Sequence, residues 1–243
     1  MAETKLSVII PAYNEESRLP KTLQAVYAYF QKQNYVYEIL VVSDGSKDHT
    51  VEVAQEMAQK IPGLRVIAEQ ENRGKGYAVR KGILEAKGEY RVFTDADNST
   101  SIEHVERMWI EFKKGAEVVI GSRDIKGAKR TVRQSLVREK LGDIFNLMVQ
   151  MLSGLWGIWD TQCGFKGFSA KAAQEIFAKT TVNRWAFDVE VLVIAKKLGY
   201  PIQEIPVVWV NDAESKVRFS GMLKMLVEVL QISIGKVLGK YNG

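Results

Sequence analysis

The chain has 243 residues, with 34 Lys or Arg against 29 Asp or Glu, and carries a net charge of +5 when its histidines are neutral. An apolar share of 46% and a charged share of 26% are ordinary for a folded protein, which excludes disordered and fibrous classes. One cysteine and two histidines exclude a disulfide framework, a zinc site of Cys and His ligands, and most catalytic triads that use histidine. A bound metal ion would therefore need oxygen ligands.

The N-terminal residues lack the positive region, apolar core and cleavage site of a secretory signal. The longest uncharged stretch, 144–159, has 16 residues, short of the roughly 20 apolar residues that a spanning helix needs. We therefore expect no transmembrane span and a cytoplasmic location.

Up to residue 121, short runs rich in β-branched residues alternate with longer stretches whose apolar residues recur at helical spacing. This alternation predicts an α/β fold with a parallel sheet and crossover helices. Ligands of such sheets bind beyond the carboxyl ends of the strands, so polar residues at those ends are the first candidates for a site. Strands are predicted at 7–11, 38–43, 64–68, 90–94 and 117–121, and helices near 15–33, 47–61, 74–87 and 101–114.

Beyond residue 121 a basic segment and a long amphipathic stretch precede further short elements. Neither an internal repeat nor a linker is present, so we predict one domain over 1–243 with a C-terminal elaboration. The further elements are predicted as a strand at 164–169, helices near 170–179 and 184–199, a strand at 203–209 and a last helix from about 220.

The most specific feature is the pair Asp95 and Asp97, two carboxylates at the end of the predicted strand 90–94. Like charges at the mouth of a sheet repel, and a divalent cation compensates for them. Oxygen ligands alone favour Mg²⁺ or Mn²⁺, which keeps coordination sites for phosphate oxygens and water, so a nucleoside diphosphate fits such a site. The alternative interpretation is that Asp97 or Ser99 only caps the helix that begins near Ser101.

Four segments, in this order, resemble the signature of family 2 inverting glycosyltransferases, which have the GT-A fold: SVIIPAYNEE (7–16), VSDGSKD (42–48), NRGKG (72–76) and the DXD-type TDAD (94–97). Three more resemble the branch that glycosylates polyisoprenyl phosphates, particularly dolichyl-phosphate β-glucosyltransferases: DTQCGFKGF (160–168), RWAFDVE (184–190) and ESK (214–216). We expect the chain to lack the N-terminal membrane anchor that eukaryotic members of this branch carry.

The resemblance implies a single Rossmann-like, mostly parallel sheet flanked by helices, with C-terminal amphipathic helices. It assigns 1–121 to nucleotide-sugar binding, 122–219 to the acceptor and 220–243 to an amphipathic helix. The implied reaction is a metal-dependent, inverting transfer of a hexose, glucose from UDP-glucose, to a polyprenyl or dolichyl phosphate. The alternatives are a GDP-mannose-dependent mannosyltransferase, a GT-A transferase with a non-lipid glycan acceptor and, in a different class, a non-enzymatic nucleotide-binding scaffold.

The resemblance also implies roles for individual residues. Asp97 would hold the Mg²⁺ or Mn²⁺ that bridges the diphosphate, with Asp95 near the ribose and donor sugar and Ser99 as a further, weaker ligand. The residues implied to bind the nucleotide sugar are Pro11, Ala12, Tyr13, Glu15, Ser43, Asp44, Lys75, Asp95, Ala96 and Asp97. Those implied to bind the acceptor phosphate are Arg123, Ser215 and Lys216, and the catalytic set is Asp95, Asp97, Arg123 and Lys216.

A phosphate acceptor changes what the site must do. Its second pKa near 6 leaves it mostly dianionic at neutral pH, so its oxygen is already a nucleophile and no general base is needed. Positioning and charge neutralisation remain. Asp188 and Glu190 are interpreted either as groups that orient sugar hydroxyls or support basic residues, or as solvated or capping acids.

Seven basic residues and two acids between 123 and 140 give this segment an excess of +5, equal to the charge of the whole chain. An apolar, Trp-bearing stretch follows, and the last helix repeats the pattern, which suits an anionic membrane surface. We expect Lys126, Lys129, Arg130 and Arg133 on solvated turns, and Leu147, Met151, Leu155 and Trp156 in the interface. The alternative is that these apolar faces pack on the domain or on a second copy in a homo-oligomer. No recognition-helix pattern or aromatic sheet points to nucleic acid.

Overall fold

The computed structural model describes residues 3–131, 136–210 and 219–241, and the side chains of 136–141, 143–145 and 219–223 lie outside that description. The strands are β1 Leu6–Ala12, β2 Tyr37–Asp44, β3 Leu64–Glu69, β4 Tyr90–Thr94, β5 Val118–Ser122, β6 Lys129–Arg130, β7 Phe165–Ser169, β8 Ile202–Pro206 and β9 Val208–Trp209. The helices are α1 Leu19–Phe30, α2 Thr50–Ala58, α3 Lys75–Glu85, α4 Val105–Lys113, α5 Leu136–Ser153, α6 Ala170–Phe177, α7 Phe187–Lys197 and α8 Phe219–Val237, with a 3₁₀ helix at Ile102–His104.

Within these ranges the main sheet has seven strands in the order β3-β2-β1-β4-β7-β5-β8. β1 to β4 are parallel, β8 is parallel to β5, and β7 runs antiparallel between β4 and β5. The prediction of a mostly parallel α/β sheet is confirmed. The direction of β7 was not predicted, because alternation along the chain fixes direction only for strands joined by crossover helices.

The core lies on both faces of the sheet, which explains the unbroken apolar runs of the central strands. Along β1, Leu6, Val8 and Ile10 pack toward α1, α2 and α4, whereas Ile9 packs toward α3, α6 and α7. Each successive side chain of a strand points to the opposite face, so every position of β1 is buried. β1 therefore lies in the middle of the sheet, and packing on both faces fixes the position of its carboxyl end.

The predicted strand 203–209 is divided between two sheets. β8 pairs with β5 up to Pro206, and the chain then crosses to pair β9 with β6 in a small parallel sheet. Lys129 and Arg130 therefore form a short strand rather than the predicted turn, although both side chains are exposed. The guanidinium of Arg130 pairs with Asp124. Lys126 is exposed as expected, and Arg133 lies outside the described residues.

α5 and α8 pack against each other, and polar groups of α8 bind the carboxyl end of α5. Ser233 Oγ donates to the carbonyl of Leu152 at 2.7 Å, and Lys236 Nζ donates to that of Ser153 at 3.0 Å. A cation at a helix carboxyl end also stabilises the helix dipole. These contacts attach α8 to the body of the molecule.

Each of these helices also presents apolar side chains to solvent. The prediction that Leu155 contacts a membrane is wrong, because the chain turns at Gly154 with φ +74° and places Leu155 in the core. On α8, Met225, Val229 and Ile232 are buried. Across the described residues, no helix is both long and apolar enough to cross a bilayer. The exposed apolar residues here are Leu147, Met148, Met151, Trp156, Trp159, Val227, Leu230, Ile234, Val237 and Leu238.

Candidate active site

The loops that follow β1 and β2 form one unit at the carboxyl edge of the sheet. Asn14, at φ +54°, donates its amide to Ser46 Oγ and accepts from the amide of Lys47 at 2.8 Å. The hydroxyl of Ser43 donates to Ser46 Oγ at 2.9 Å. Ser43 is fully buried, so its side chain holds the loops together.

The residues predicted for the first loop lie where β1 ends, beside the end of β2. Pro11 and Ala12 are buried, and Tyr13 is exposed. Both carboxylate oxygens of Glu15 accept from the guanidinium of Arg18 at 2.6 Å. Tyr13 therefore offers the accessible flat surface of this loop, and Glu15 fixes the entry to α1.

Asp44 is almost completely buried at the end of β2. Its two carboxylate oxygens accept from the backbone amides of Arg73, at 2.9 Å, and Gly74, at 2.7 Å. Gly74 precedes α3 with φ +111°, and a Cβ there would lie 2.3 Å from the carbonyl oxygen of Asn183. Asp44 thus holds the backbone directly before α3 and places a negative charge at the N-terminus of that helix, which fixes the position of its first residue, Lys75.

The ammonium of Lys75 lies 2.5 Å from Asp95 Oδ1, at the end of β4. Burial opposes the charge on Lys75, but the carboxylates of Asp95 and Asp188 outweigh it and raise the pKa of Lys75 to about 12. Lys75 is therefore cationic at every physiological pH, and its side chain keeps 23% exposure. The structure brings together these predicted residues from the third and fourth loops.

The loop after β4 is held in a defined conformation. Asp97 Oδ1 accepts from the amide of Ser99 at 2.9 Å, and the hydroxyl of Thr22 donates to the carbonyl of Ala96 at 2.6 Å. Ser101, not Asp97 or Ser99, is the N-cap of the following 3₁₀ helix. The alternative that Asp97 or Ser99 caps this helix is therefore wrong. Ser99 is buried.

The acidic pair suits a cation that arrives together with anionic oxygens. Among the residues that the structure describes, no group of three or more His, Cys, Asp or Glu side chains could hold a metal ion alone. Mg²⁺ is usually held by one or two carboxylates together with substrate phosphates and water. Asp95 and Asp97 supply that number of carboxylates, and apart from its ion pair with Lys75 the buried Oδ1 of Asp95 has no hydrogen-bond partner among the described residues. The residues present therefore fit such an ion.

Gly164, just before β7, forms the floor beneath Asp95. A Cβ at this position would lie 2.0 Å from Asp95 Oδ2. Any side chain at 164 would displace the carboxylate, so the glycine is required by a close approach. Gly164 belongs to the segment 160–168 that carries the family resemblance, but the contact with Asp95 could not be inferred from the sequence.

Arg123, after β5, makes a two-point ion pair with Asp160. Its Nε and Nη2 donate to the two Asp160 oxygens at 2.7 and 2.8 Å, and its backbone amide donates to Asp160 Oδ2 at 2.8 Å. Burial opposes ionisation of Asp160, but Arg123 outweighs it and lowers the pKa of Asp160. Within the described residues Arg123 Nη1 makes no hydrogen bond, so it can donate to a ligand. Asp160 was missed as a site residue.

Trp209 links Arg123 to the loop after β4, which carries Asp95 and Asp97. Its ring lies 5.4 Å from the guanidinium carbon of Arg123, and its backbone bridges to Thr100. The neighbouring Val208 donates its amide to His104 Nε2 at 2.9 Å, and burial lowers the pKa of His104, so the imidazole remains a neutral acceptor. This strand leads into 211–218. Ser215 and Lys216 lie there, outside the described residues.

Asp188 and Glu190 are both buried on α7, so the interpretation of them as solvated acids is wrong. Glu190 accepts from the amides of Thr181 and Val182 and from the hydroxyl of Tyr241, which makes it a structural clasp. Asp188 Oδ1 lies 2.5 Å from the ammonium of Lys166 on β7. Neither acid is placed to remove a proton from an acceptor in solvent.

Residues 7–177 match the family described as glycosyl transferase family 2. The chain belongs to this family. A dolichyl-phosphate beta-glucosyltransferase of Trichomonas vaginalis is 38% identical to this glycosyltransferase over 239 residues, which cover 94% of this chain and 73% of the relative. The human dolichyl-phosphate beta-glucosyltransferase is 38% identical over 256 residues, which cover 98% and 78%. The predicted family is confirmed.

Solved structures confirm the fold. Glucosyl-3-phosphoglycerate synthase from Mycobacterium tuberculosis, crystallised with Mn²⁺, UDP and glucosyl-3-phosphoglycerate, superposes with a TM-score of 0.67 at 19% identity, over 98% of this chain and 80% of that chain. At that identity the likeness establishes the shared α/β architecture. The roles of individual residues depend on the geometry above.

Proposed function

We propose that this glycosyltransferase transfers glucose from UDP-glucose to a dolichyl or other polyprenyl phosphate, with inversion at the sugar. The observation that carries the proposal is the likeness to dolichyl-phosphate beta-glucosyltransferases, which extends over nearly the whole chain and so includes both the donor and the acceptor side. We assign 1–121 to the donor, 122–219 to the acceptor and 220–243 to an amphipathic helix. A scaffold without activity would not need the charged pairs at the sheet edge.

On the donor side, the base and ribose would lie on Tyr13 beside Pro11 and Ala12, with Asp44 within reach of the base. Asp44 already accepts from two backbone amides, and each carboxylate oxygen has a second lone pair for a donor group of the base. Glu15 and Ser43 contribute by fixing these loops. A structural neighbour of the same fold was crystallised with UDP, which supports a uridine nucleotide as part of the donor.

For the diphosphate, the chain supplies Lys75 as a cation and Asp95, Ala96 and Asp97 as the loop that faces it. Asp97, Asp95 and, as a weaker ligand, Ser99 would hold Mg²⁺ or Mn²⁺. When bound, the ion stabilises the negative charge that develops on the departing diphosphate. Lys75, paired with Asp95, adds a fixed positive charge, and this preorganised charge requires no rearrangement during the reaction.

On the acceptor side, Arg123 Nη1 would donate to the lipid phosphate while Nε and Nη2 stay on Asp160. The ion pair with Asp160 fixes the guanidinium plane, so the donor direction is set before the lipid arrives. Lys216 and Ser215 are predicted to join it. These charges offset the repulsion between an anionic acceptor and an anionic donor, and the dianionic phosphate attacks without a base.

The reaction can be tested with purified protein, a panel of nucleotide sugars, Mg²⁺ or Mn²⁺, and a short polyprenyl phosphate, with the lipid product identified by mass. We expect a hexosyl lipid phosphate from UDP-glucose. A product from GDP-mannose alone would replace the donor assignment. Transfer to an added oligosaccharide, with none to the lipid phosphate, would overturn the acceptor assignment.

We further propose that the protein acts as a peripheral protein on the anionic, cytoplasmic face of a membrane. Exposed apolar residues lie on α5, the turn after it and α8. Lys196 and Lys236 donate to the carbonyls of Gly154 and Ser153 at the end of α5, and the lipid acceptor resides in a bilayer. In a protein that binds one side of a bilayer, apolar side chains enter the interface. Neighbouring cations attract the anionic headgroups. A homo-oligomer that covers the same residues is the competing arrangement.

Vesicle binding tests this surface. The wild type is expected to sediment with anionic vesicles at low salt and to be partly released near about 0.15 M salt, where the screening length is about 8 Å. Met151→Ser with Val237→Ser should lower the salt-resistant fraction, because both side chains are exposed. Ile110→Ser removes an exposed apolar residue from α4, on the opposite face of the sheet, and should leave vesicle binding unchanged. A wild-type protein that ignores vesicles but sediments as a dimer, and loses the dimer in the double variant, would contradict the membrane proposal.

A further inference from the structure

Lys166 and Asp188 form a buried ion pair that the proposed reaction does not use. Lys166 lies on β7 with no solvent exposure, and its ammonium is 2.5 Å from Asp188 Oδ1 in the first turn of α7. A buried pair of this kind is weak evidence for stability, since well-packed apolar residues of the same volume often serve equally well. Its position in the fold therefore calls for another explanation.

The pair contacts the support of Asp95. The ammonium of Lys166 also donates to the carbonyl of Cys163 at 2.6 Å. The next residue is Gly164, where a Cβ would lie 2.0 Å from Asp95 Oδ2 and displace the carboxylate. Lys166 thus fixes the turn on which the Asp95 carboxylate rests.

The pair also contacts the support of Lys75. Asp188 follows Phe187 at the start of α7, and the Phe187 ring lies 5.9 Å from the ammonium of Lys75. A Cβ at Gly76, one residue after Lys75, would lie 2.5 Å from Phe187 Cβ, so α3 and α7 are in tight contact here. The negative charge of Asp188 also favours the cationic form of Lys75 and contributes to its raised pKa.

We propose that Lys166 and Asp188 are positioning residues for the donor site, which hold Asp95 and Lys75 in the arrangement that receives the nucleotide diphosphate. The inference rests on the proposed function, because it assumes that Lys75 and Asp95 face a nucleotide. Neither residue touches the donor. They act through the Gly164 turn and the start of α7, so their loss should reduce nucleotide affinity only while Lys75 and Asp95 are present.

The test is a double-mutant cycle read by UDP binding, measured by calorimetry with Mn²⁺. Lys166→Met with Asp188→Leu removes both charges together and leaves no unpaired buried ion. We expect UDP to bind about tenfold more weakly, within the range of coupling between contacting residues. In a Lys75→Met background the same pair of substitutions should weaken UDP binding no further. Lys81→Met with Glu85→Leu removes an exposed ion pair from the same helix, α3, and should leave UDP affinity unchanged.

Two outcomes overturn the proposal. One is wild-type UDP affinity in the charge-free variant. The other is a loss of UDP affinity by the same factor whether or not Lys75 is present. If the charge-free variant does not fold, Asp188→Glu decides, because it keeps both charges and displaces the carboxylate by one methylene. That variant should lose UDP affinity and kcat with an unchanged KM for the lipid phosphate, and wild-type values would overturn the proposal. A wild-type protein that fails to bind UDP contradicts the proposed function instead.

Discussion

Replacement of Asp97 by alanine is expected to lower kcat by about 10³-fold or more while the protein remains folded, since several kcal/mol of charge stabilisation by a metal ion depend on its ligands. Asp97 is half-buried, and within the described residues its carboxylate accepts from the amide of Ser99. The substitution therefore removes the hydrogen bond that closes this turn and one predicted metal ligand. The measurement is turnover with UDP-glucose, together with UDP affinity with and without Mn²⁺.

Asp97→Asn separates the turn from the charge. The asparagine oxygen can still accept from the Ser99 amide, so the unfolding temperature should equal that of the wild type, while most activity is lost. Glu103→Gln is the matched control, because it removes an exposed carboxylate from the 3₁₀ helix that follows the same loop. Full wild-type activity in excess chelator, or an Asp97→Asn variant as active as the Glu103→Gln control, would show that no metal ion acts here.

The loop after β4, which carries Asp95 and Asp97, could be predicted from the sequence because the pattern that marks it is local. The strand that ends at Thr94 is a short run of β-branched and aromatic residues, and the carboxyl edge of a parallel sheet is where ligands bind. Asp95 and Asp97 follow that strand directly. The predicted strands of 1–121 were correct to within one or two residues. β1, β2 and β5 are buried along almost their whole length, whereas the edge strand β3 is only half-buried and was recognised by its short apolar run.

The helix bounds were less accurate where a loop has its own structure. The first helix begins at Leu19 instead of near 15, because residues 14 and 15 bind the loop after β2 and the Arg18 side chain. Apolar periodicity continues through such a loop and does not report that the backbone has left the helix. At Gly154 the backbone also leaves the helix. A helical projection places Leu155 on the exposed face, whereas the turn at Gly154 buries it.

Contacts between distant segments could not be predicted. Arg123 and Asp160 are 37 residues apart, and Lys166 and Asp188 are 22 apart, in elements whose adjacency depends on the antiparallel insertion of β7. Direction and neighbourhood of that strand are not encoded in periodicity. The resemblance to a family named the segments that contain these residues, but only the fold assigns them partners.

Arg123→Lys is expected to raise the KM for the lipid phosphate and to lower transfer by about 10²-fold, the usual cost of losing one donor to a developing or reacting anion, with nearly unchanged UDP affinity. Lysine keeps the charge but cannot hold both Asp160 oxygens and present a further donor, so the direction of the remaining N–H is lost. Arg123→Ala is less informative, because the buried Asp160 would lose its partner, at a cost of roughly 3–5 kcal/mol in stability.

A charge-free pair, Arg123→Met with Asp160→Leu, removes that ambiguity. It leaves no buried ion, so it should fold, bind UDP as the wild type does, and transfer as little sugar as Arg123→Lys or less. Lys216→Ala should give the same pattern if that residue shares the phosphate. Arg123 contacts Asp160 and Trp209 rather than Asp95 or Lys75, so its loss should leave UDP affinity unchanged. Equal losses of UDP affinity and of acceptor use would place Arg123 on the donor, and the acceptor phosphate would then have to be neutralised by other residues of 122–219.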